Sequence, residues 1–296
     1  PVLEEGRIPA RDSADFIHED DIEDIALPLY QGIMVHQFDF SYQRWIKGTG
    51  LNAKWEFIPY NEKYLHPQFL MGKENYREKG KVFGIKTCFR DIARATDKRS
   101  MISSLSPDMP MGNKVPVLKT NSTYDEFFLT SIINSFVYDF ALRSRLGATS
   151  INYYVLEDTP LLKRKKDEVI CVLYNSCSLI CISEVFTPEW ITLSNIISIK
   201  TLNLKKQFSA TSHERLRRQC LINALIAFFY GLDFDDFAWI LRNDESDVKG
   251  FWRVDQDKAI ELRQTTLALA AFRDAKEMGL EEFCKLNGGE GWMMHD

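Results

Sequence analysis

The sequence predicts an α+β fold in which a mixed sheet comes first and a more helical part follows. Three observations carry this. Short stretches of β-branched and aromatic residues in rough alternation recur between residues 29 and 119, separated by Gly- and Pro-rich turns. From Asp125 onward, apolar residues recur instead at i+3 and i+4. Strands and helices are segregated along the chain rather than alternating as β-α-β units. With 296 residues, 45% hydrophobic and 27% charged, the chain can bury a sizeable core, as one large domain or two small ones.

Taken in order, L-Y-Q-G-I-M-V-H-Q-F-D-F-S-Y (29–42) reads as one or two half-buried strands. Residues 47–80 carry Gly48, Gly50, Pro59, Pro67, Gly72 and Gly80 and read as a long connection with some helix near 67–78. A strand is expected from Lys81 to about Ala93 and another over Met101–Leu105. P-D-M-P-M-G-N-K supplies turn chemistry, and V-P-V-L-K follows as a short strand or bend. Asp125–Leu146 reads as one helix, with Phe128, Ile132, Phe136 and Phe140 on a stripe, Thr123 or Asp125 at its start and Gly147 at its end. S-I-N-Y-Y-V-L (150–156) reads as strand. Residues 168–200 are apolar and β-branched, with T-P-E-W at 187–190 as a helix start. Ser212–Tyr230, Asp233–Leu241 and Leu262–Gly279 are helical, the first stopped by Gly231 and the last by Gly279.

The formal net charge of −5 conceals segregation. Residues 1–27 hold nine acids and two bases and read as an acidic linker or strap, while residues 77–119 hold ten bases and four acids. A concentrated basic stretch can bind a polyanion locally whatever the overall charge. No stretch approaches the roughly 18 apolar residues that a membrane span needs. The chain opens with Pro1 and no basic-then-apolar leader, so a piece of a longer protein, in the cytoplasm and away from membranes, is expected. The six cysteines form no C-x-x-C pair and are expected as buried thiols.

Phosphate-binding glycine loops, a nucleophile elbow and H-x-x-x-H spacing are all absent from the sequence. V-D-Q-D-K (254–258) is the nearest approach to a metal-nuclease carboxylate cluster, and a loop that caps the following helix is the simpler reading. F-R-D-I-A-R-A-T-D-K-R-S is more informative. Arg90, Arg94, Lys98 and Arg99 can neutralise phosphates, with Thr96 interleaved as a further donor. Asp91 and Asp97 offer a competing set of internal partners. H-Q-F-D-F-S-Y-Q-R-W (36–45) places His36, Gln37 and Arg44 beside Tyr42, a mixture suited to reading base edges or stacking on them. An aromatic strand packed on a core would look the same.

Several segments together resemble the C-terminal half of adenine-N6 DNA methyltransferases. These are P-L-Y-Q-G-I-M-V-H-Q-F-D-F, F-R-D-I-A-R-A-T-D-K-R-S-M-I-S-S-L-S-P, G-N-K-V-P-V-L, I-N-S-F-V-Y-D-F-A-L-R-S-R-L-G-A-T-S-I-N-Y-Y-V-L-E-D-T-P and R-L-R-R-Q-C-L-I-N-A-L-I-A-F-F-Y-G-L. The likeness is to single-chain restriction–modification and phage-defence enzymes with a TaqI-like specificity domain. G-F-W-R-V-D-Q-D-K and N-G-G-E-G-W-M look like the far end of such chains.

The resemblance implies a target-recognition domain over 28–165 and a mixed, then mainly helical, part over 166–296. It implies double-stranded DNA as partner and DNA contacts from the 36–44 and 90–99 residues named above. Asn152 and Tyr153 join them on the turn after Gly147. A Pro-Pro catalytic segment and the F-x-G-x-G cofactor motif are missing. Catalysis and S-adenosylmethionine are therefore expected of an N-terminal methyltransferase domain outside this chain, with no cofactor or metal here. The alternatives are a protein-interaction module of the same defence system, with the acidic strap as a docking element, and a stand-alone metal-dependent nuclease.

Overall fold

The computed structural model describes residues 7–9, 16–18, 22, 24–197, 208–242 and 244–287. Most of the acidic strap and nearly all of N-G-G-E-G-W-M lie outside them. The fold is α+β, with small antiparallel sheets early and helices later.

Strands β1 (Arg7–Pro9) and β2 (Phe16–His18) pair with each other, and β3 (Ala26–Leu29) pairs with β6 (Phe69–Gly72). A hairpin joins β4 (Gln43–Lys47) to β5 (Lys54–Phe57). The three-stranded sheet has the order β8-β7-β9, with β7 (Lys86–Phe89) between β8 (Ser103–Ser106) and β9 (Val117–Leu118). The segment expected as strand over 29–42 is instead a chain of tight turns. Phe38 adopts φ 56°, with its N–H donated to the Ser103 carbonyl. Residues 38–41 are all buried, so the aromatic alternation reflects burial from several sides rather than a pleated face. Helix α1 (Lys73–Lys79) occupies the later part of the stretch where some helix was expected.

The helix expected over 125–146 is two helices, α2 (Thr123–Ile133) and α3 (Phe136–Arg143). Ser122 caps α2 by accepting the Asp125 N–H, and Ser135 caps α3 by accepting that of Tyr138. The break falls at Asn134, whose side-chain amide exchanges two hydrogen bonds with Ser103 of β8. Asn223 accepts the freed Phe136 N–H. Asn and Ser compete with helix for backbone groups, and the apolar stripe runs through the interruption unchanged, so periodicity alone misses it.

Residues 153–157 form a short helix, α4, not the expected strand: Val155 and Leu156 face inward, while Tyr153 and Tyr154 stay exposed. In the apolar stretch, α5 (Ile170–Ile180) is buried along most of its length, which is why it lacks an amphipathic signature. Helix α6 (Thr187–Ile197) starts at T-P-E-W as expected.

Helix α7 (Ser212–Phe229) forms the centre of the helical part, packed against α5 and against α9 (Gln264–Met278). Helices α8 (Phe234–Leu241) and α10 (Leu280–Asn287) complete it. One buried apolar cluster runs from Phe38, Phe40 and Phe89 through α2, α3 and α5 to α9, so the boundary expected near 165 does not interrupt the core. Phe40 meets Phe186 edge-on at 5.0 Å. Cys88, Cys177, Cys181 and Cys220 are buried thiols. Among the described residues no helix is long and apolar enough to cross a membrane.

Candidate nucleic-acid interface

β7 delivers Arg90 to the end of the three-stranded sheet. Its Nε donates to the Val35 carbonyl at 2.7 Å, and the guanidinium lies 5.9 Å from the Tyr42 ring. Tyr42 stacks on His36 with centroids 4.4 Å apart. Burial, with Arg90, Arg215, Lys63 and Arg99 around it, pushes the His36 imidazole down to about 3, so it is neutral at physiological pH. Asp39 in the same turn is buried and pairs with Lys63 at 2.7 Å.

After Arg90 the chain meets the loop that follows α3. Ile151 donates its N–H to the Asp91 carbonyl, Ala93 donates to that of Thr149, and Ile92 bridges Ser150. Three segments chosen on sequence, 36–42, 90–99 and 147–153, thus meet around Arg90 and Asp91. Asn152 is exposed at the start of α4, and Tyr153 donates its hydroxyl to the Val117 carbonyl. Gly147 has open space around it.

Residues 94–98 form a rigid turn. The Arg94 N–H donates to Asp97 Oδ2, and Ser100 Oγ donates back to the Arg94 carbonyl. Two arginines hold its carbonyls from below: Arg143 donates to Asp97 and Lys98, and Arg253 to Thr96 and Asp97. Asp91 pairs with Lys114 at 2.7 Å. Asp91 is therefore paired outside the segment, and the Asp97 carboxylate accepts the Arg94 backbone N–H. Arg94 and Lys98 stand exposed with no ion-pair partner among the described residues, and Thr96 lies exposed between them. Arg145 and Lys249 add exposed positive charge nearby, Arg145 just beyond Arg143 and Lys249 through its carbonyl, which accepts from Arg143.

Arg99 and Gln37 do not belong to this surface. Arg99 is 8% exposed, pairs with the fully buried Asp139 at 3.0 Å and lies against the rings of Phe136 and Phe251, 4.4 and 5.4 Å from their centroids. Burial brings its guanidinium down to about 10, so it remains charged. Arg99 and Gln37 both donate to the Asn134 carbonyl, supporting the break between α2 and α3. Alternating basic and hydroxyl residues do not reveal which side chain turns back into the core.

Arg44 is spent on Glu56 across the β4–β5 hairpin and on the Tyr64 hydroxyl beyond it. The carboxylate candidate at 254–258 is a capping loop: Asp255 accepts the Gln264 N–H and pairs with Lys258. Among the described residues no group of three or more His, Cys, Asp or Glu side chains could hold a metal. Sequence reasoning missed Arg143, Arg145, Lys249 and Arg253, although Arg143, Arg145 and Arg253 lie in segments that carry the family resemblance. No family model, curated protein or solved structure matches the chain.

Proposed function

We propose that this protein binds double-stranded DNA through the face built on Arg90, Asp91 and the 94–98 turn. In this reading it is the specificity part of an adenine-N6 methyltransferase or restriction–modification system. A companion methyltransferase domain would hold S-adenosylmethionine and act on the adenine. One observation carries the proposal: Arg143 and Arg253 fix the turn from inside while Arg94 and Lys98 face solvent without carboxylate partners among the described residues. A turn whose backbone is already held loses little backbone entropy when its side chains meet phosphates, and those cations release counterions from the duplex.

The test is duplex binding at about 50 and 200 mM salt with an Arg94→Ala/Lys98→Ala variant, leaving Arg99 in place because it is part of the core. Wild-type binding should fall steeply with salt, and the variant should lose about two units of the log–log salt slope. Absence of binding at low salt, with and without the companion domain, would overturn the reading.

A further inference from the structure

The β4–β5 hairpin ends in an arrangement that costs the free protein stability. Lys47 and Lys54 are partners across the two strands, just past a bulge at Ile46, and both are exposed. Like charges in directly opposed positions destabilise a hairpin. Between Trp45 and Trp55 there is no acidic residue, and neither lysine has an ion pair among the described residues. Beyond the Trp45–Trp55 pair, Arg44 and Glu56 form an ion pair across the ladder, so the uncompensated charge is confined to the tip.

The tip is also apolar and defined in shape. Leu51 is 106% exposed and Ile46 is 45% exposed. Gly48 has φ 84°, and a Cβ there would lie 2.3 Å from the Asn52 carbonyl oxygen. That carbonyl-to-glycine approach is fixed further by Trp45 Nε1 and Gln68 Nε2, which both donate to the Gly48 carbonyl. Trp45 and Trp55 pair across the strands beneath.

We infer that this hairpin enters the major groove of the duplex, with Lys47 and Lys54 on the phosphates and Leu51 against base edges, chiefly thymine methyl groups. The inference rests on the duplex-binding reading above. A two-stranded ribbon fits the major groove, and an apolar side chain there finds the thymine C5 methyl. An isolated pair of cations is the charge complement of the two phosphate backbones, and it removes the cost that the pair imposes on the free hairpin. A negatively charged lipid surface offers the same charge but no methyl pattern.

The experiment uses the whole chain, with its companion domain if duplex binding requires it. Lys47→Ala/Lys54→Ala should reduce the salt slope for duplex by about two units, while thermal stability stays level or rises because the opposed charges are gone. A duplex with every thymine replaced by uracil should bind the wild type several-fold more weakly, and Leu51→Ala should abolish that discrimination. If the wild type binds duplex and neither the lysine nor the uracil effect appears, the hairpin inference is overturned while the duplex reading stands. If the wild type binds no duplex, the reading itself has failed. Loss of binding to vesicles of phosphatidylserine in the lysine variant, with duplex binding unchanged, would overturn the inference in favour of a lipid surface.

Discussion

Two stretches of this chain look alike on paper: A-R-A-T-D-K-R at 93–99 and R-L-R-R at 215–218. In the turn, Arg94, Thr96 and Lys98 are exposed, while Ala93 and Arg99 at its two ends are buried. In the first turns of α7, Arg215, Arg217 and Arg218 are all buried. Thr211 caps that helix, Glu214 accepts from Arg217 and Arg218, and Arg218 also reaches Asn175. Arg215 donates to the carbonyls of Leu179 and Phe38 and stacks 4.2 Å from the Tyr60 ring. Three basic residues in each stretch therefore serve opposite ends. A guanidinium's five donors can saturate buried carbonyls, and on a helix each arginine points to a different neighbour.

The largest expected effect breaks this contrast on the buried side. Arg215→Met removes the donor to three buried carbonyls, those of Leu179, Ser209 and Phe38, and should cost about 3 kcal/mol in urea unfolding, while any protein that stays folded keeps its salt slope for duplex. A loss below about 0.5 kcal/mol would mean that Arg215 behaves as a surface residue.

Acid should sharpen the contrast at His36. Its imidazole titrates near 3 when folded and near 6.5 otherwise, so as pH falls the unfolded chain takes up the proton first. Stability is full above pH 6.5 and declines below it, by roughly 2 kcal/mol at pH 5 and further toward pH 3. His36→Gln should flatten that slope in denaturation curves recorded from pH 7 to 4.5. An unchanged slope would remove His36 as its source.

Smaller effects belong to the exposed side. Arg94→Ala/Lys98→Ala should leave unfolding within about 0.5 kcal/mol of wild type even as the salt dependence of duplex binding drops. A destabilised variant would place those side chains in the fold rather than on its surface. Gly147→Ala should be smallest, stabilising by a few tenths of a kcal/mol because the site is open and its φ is ordinary. Weakened duplex binding in that variant would place the 147–153 loop against DNA.

Much of the fold was legible where local chemistry and tertiary packing agree. Helix α7 ends before Gly231, Asp233 caps α8, and β8 stops at Pro107 as the residues suggest. It was not legible where packing overrides propensity. Tyr153, Tyr154 and Val155 favour strand in isolation, yet α4 places Val155 inward beside Leu156. The candidate site divides in the same way. Arg94, Thr96 and Lys98 lie in a turn that Asp97 and Ser100 close in part, so their exposure follows partly from local sequence, while the hold of Arg143 and Arg253 on its carbonyls does not. Gln37 and Arg99 are drawn inward by the Asn134 carbonyl, a group freed by a helix break far along the chain.

The hold that Arg253 exerts on the 96–97 carbonyls spans 157 residues, and that of Arg215 on Phe38 spans 177. At a synthesis rate of about 5–20 residues per second, the basic turn waits roughly 8–30 s on the ribosome for the arginine that fixes it. The cationic face thus acquires its final hold only after residue 253 has been made. During that interval it lacks the fixed geometry that would let it grip the polyanions most abundant around it, the ribosomal and messenger RNA.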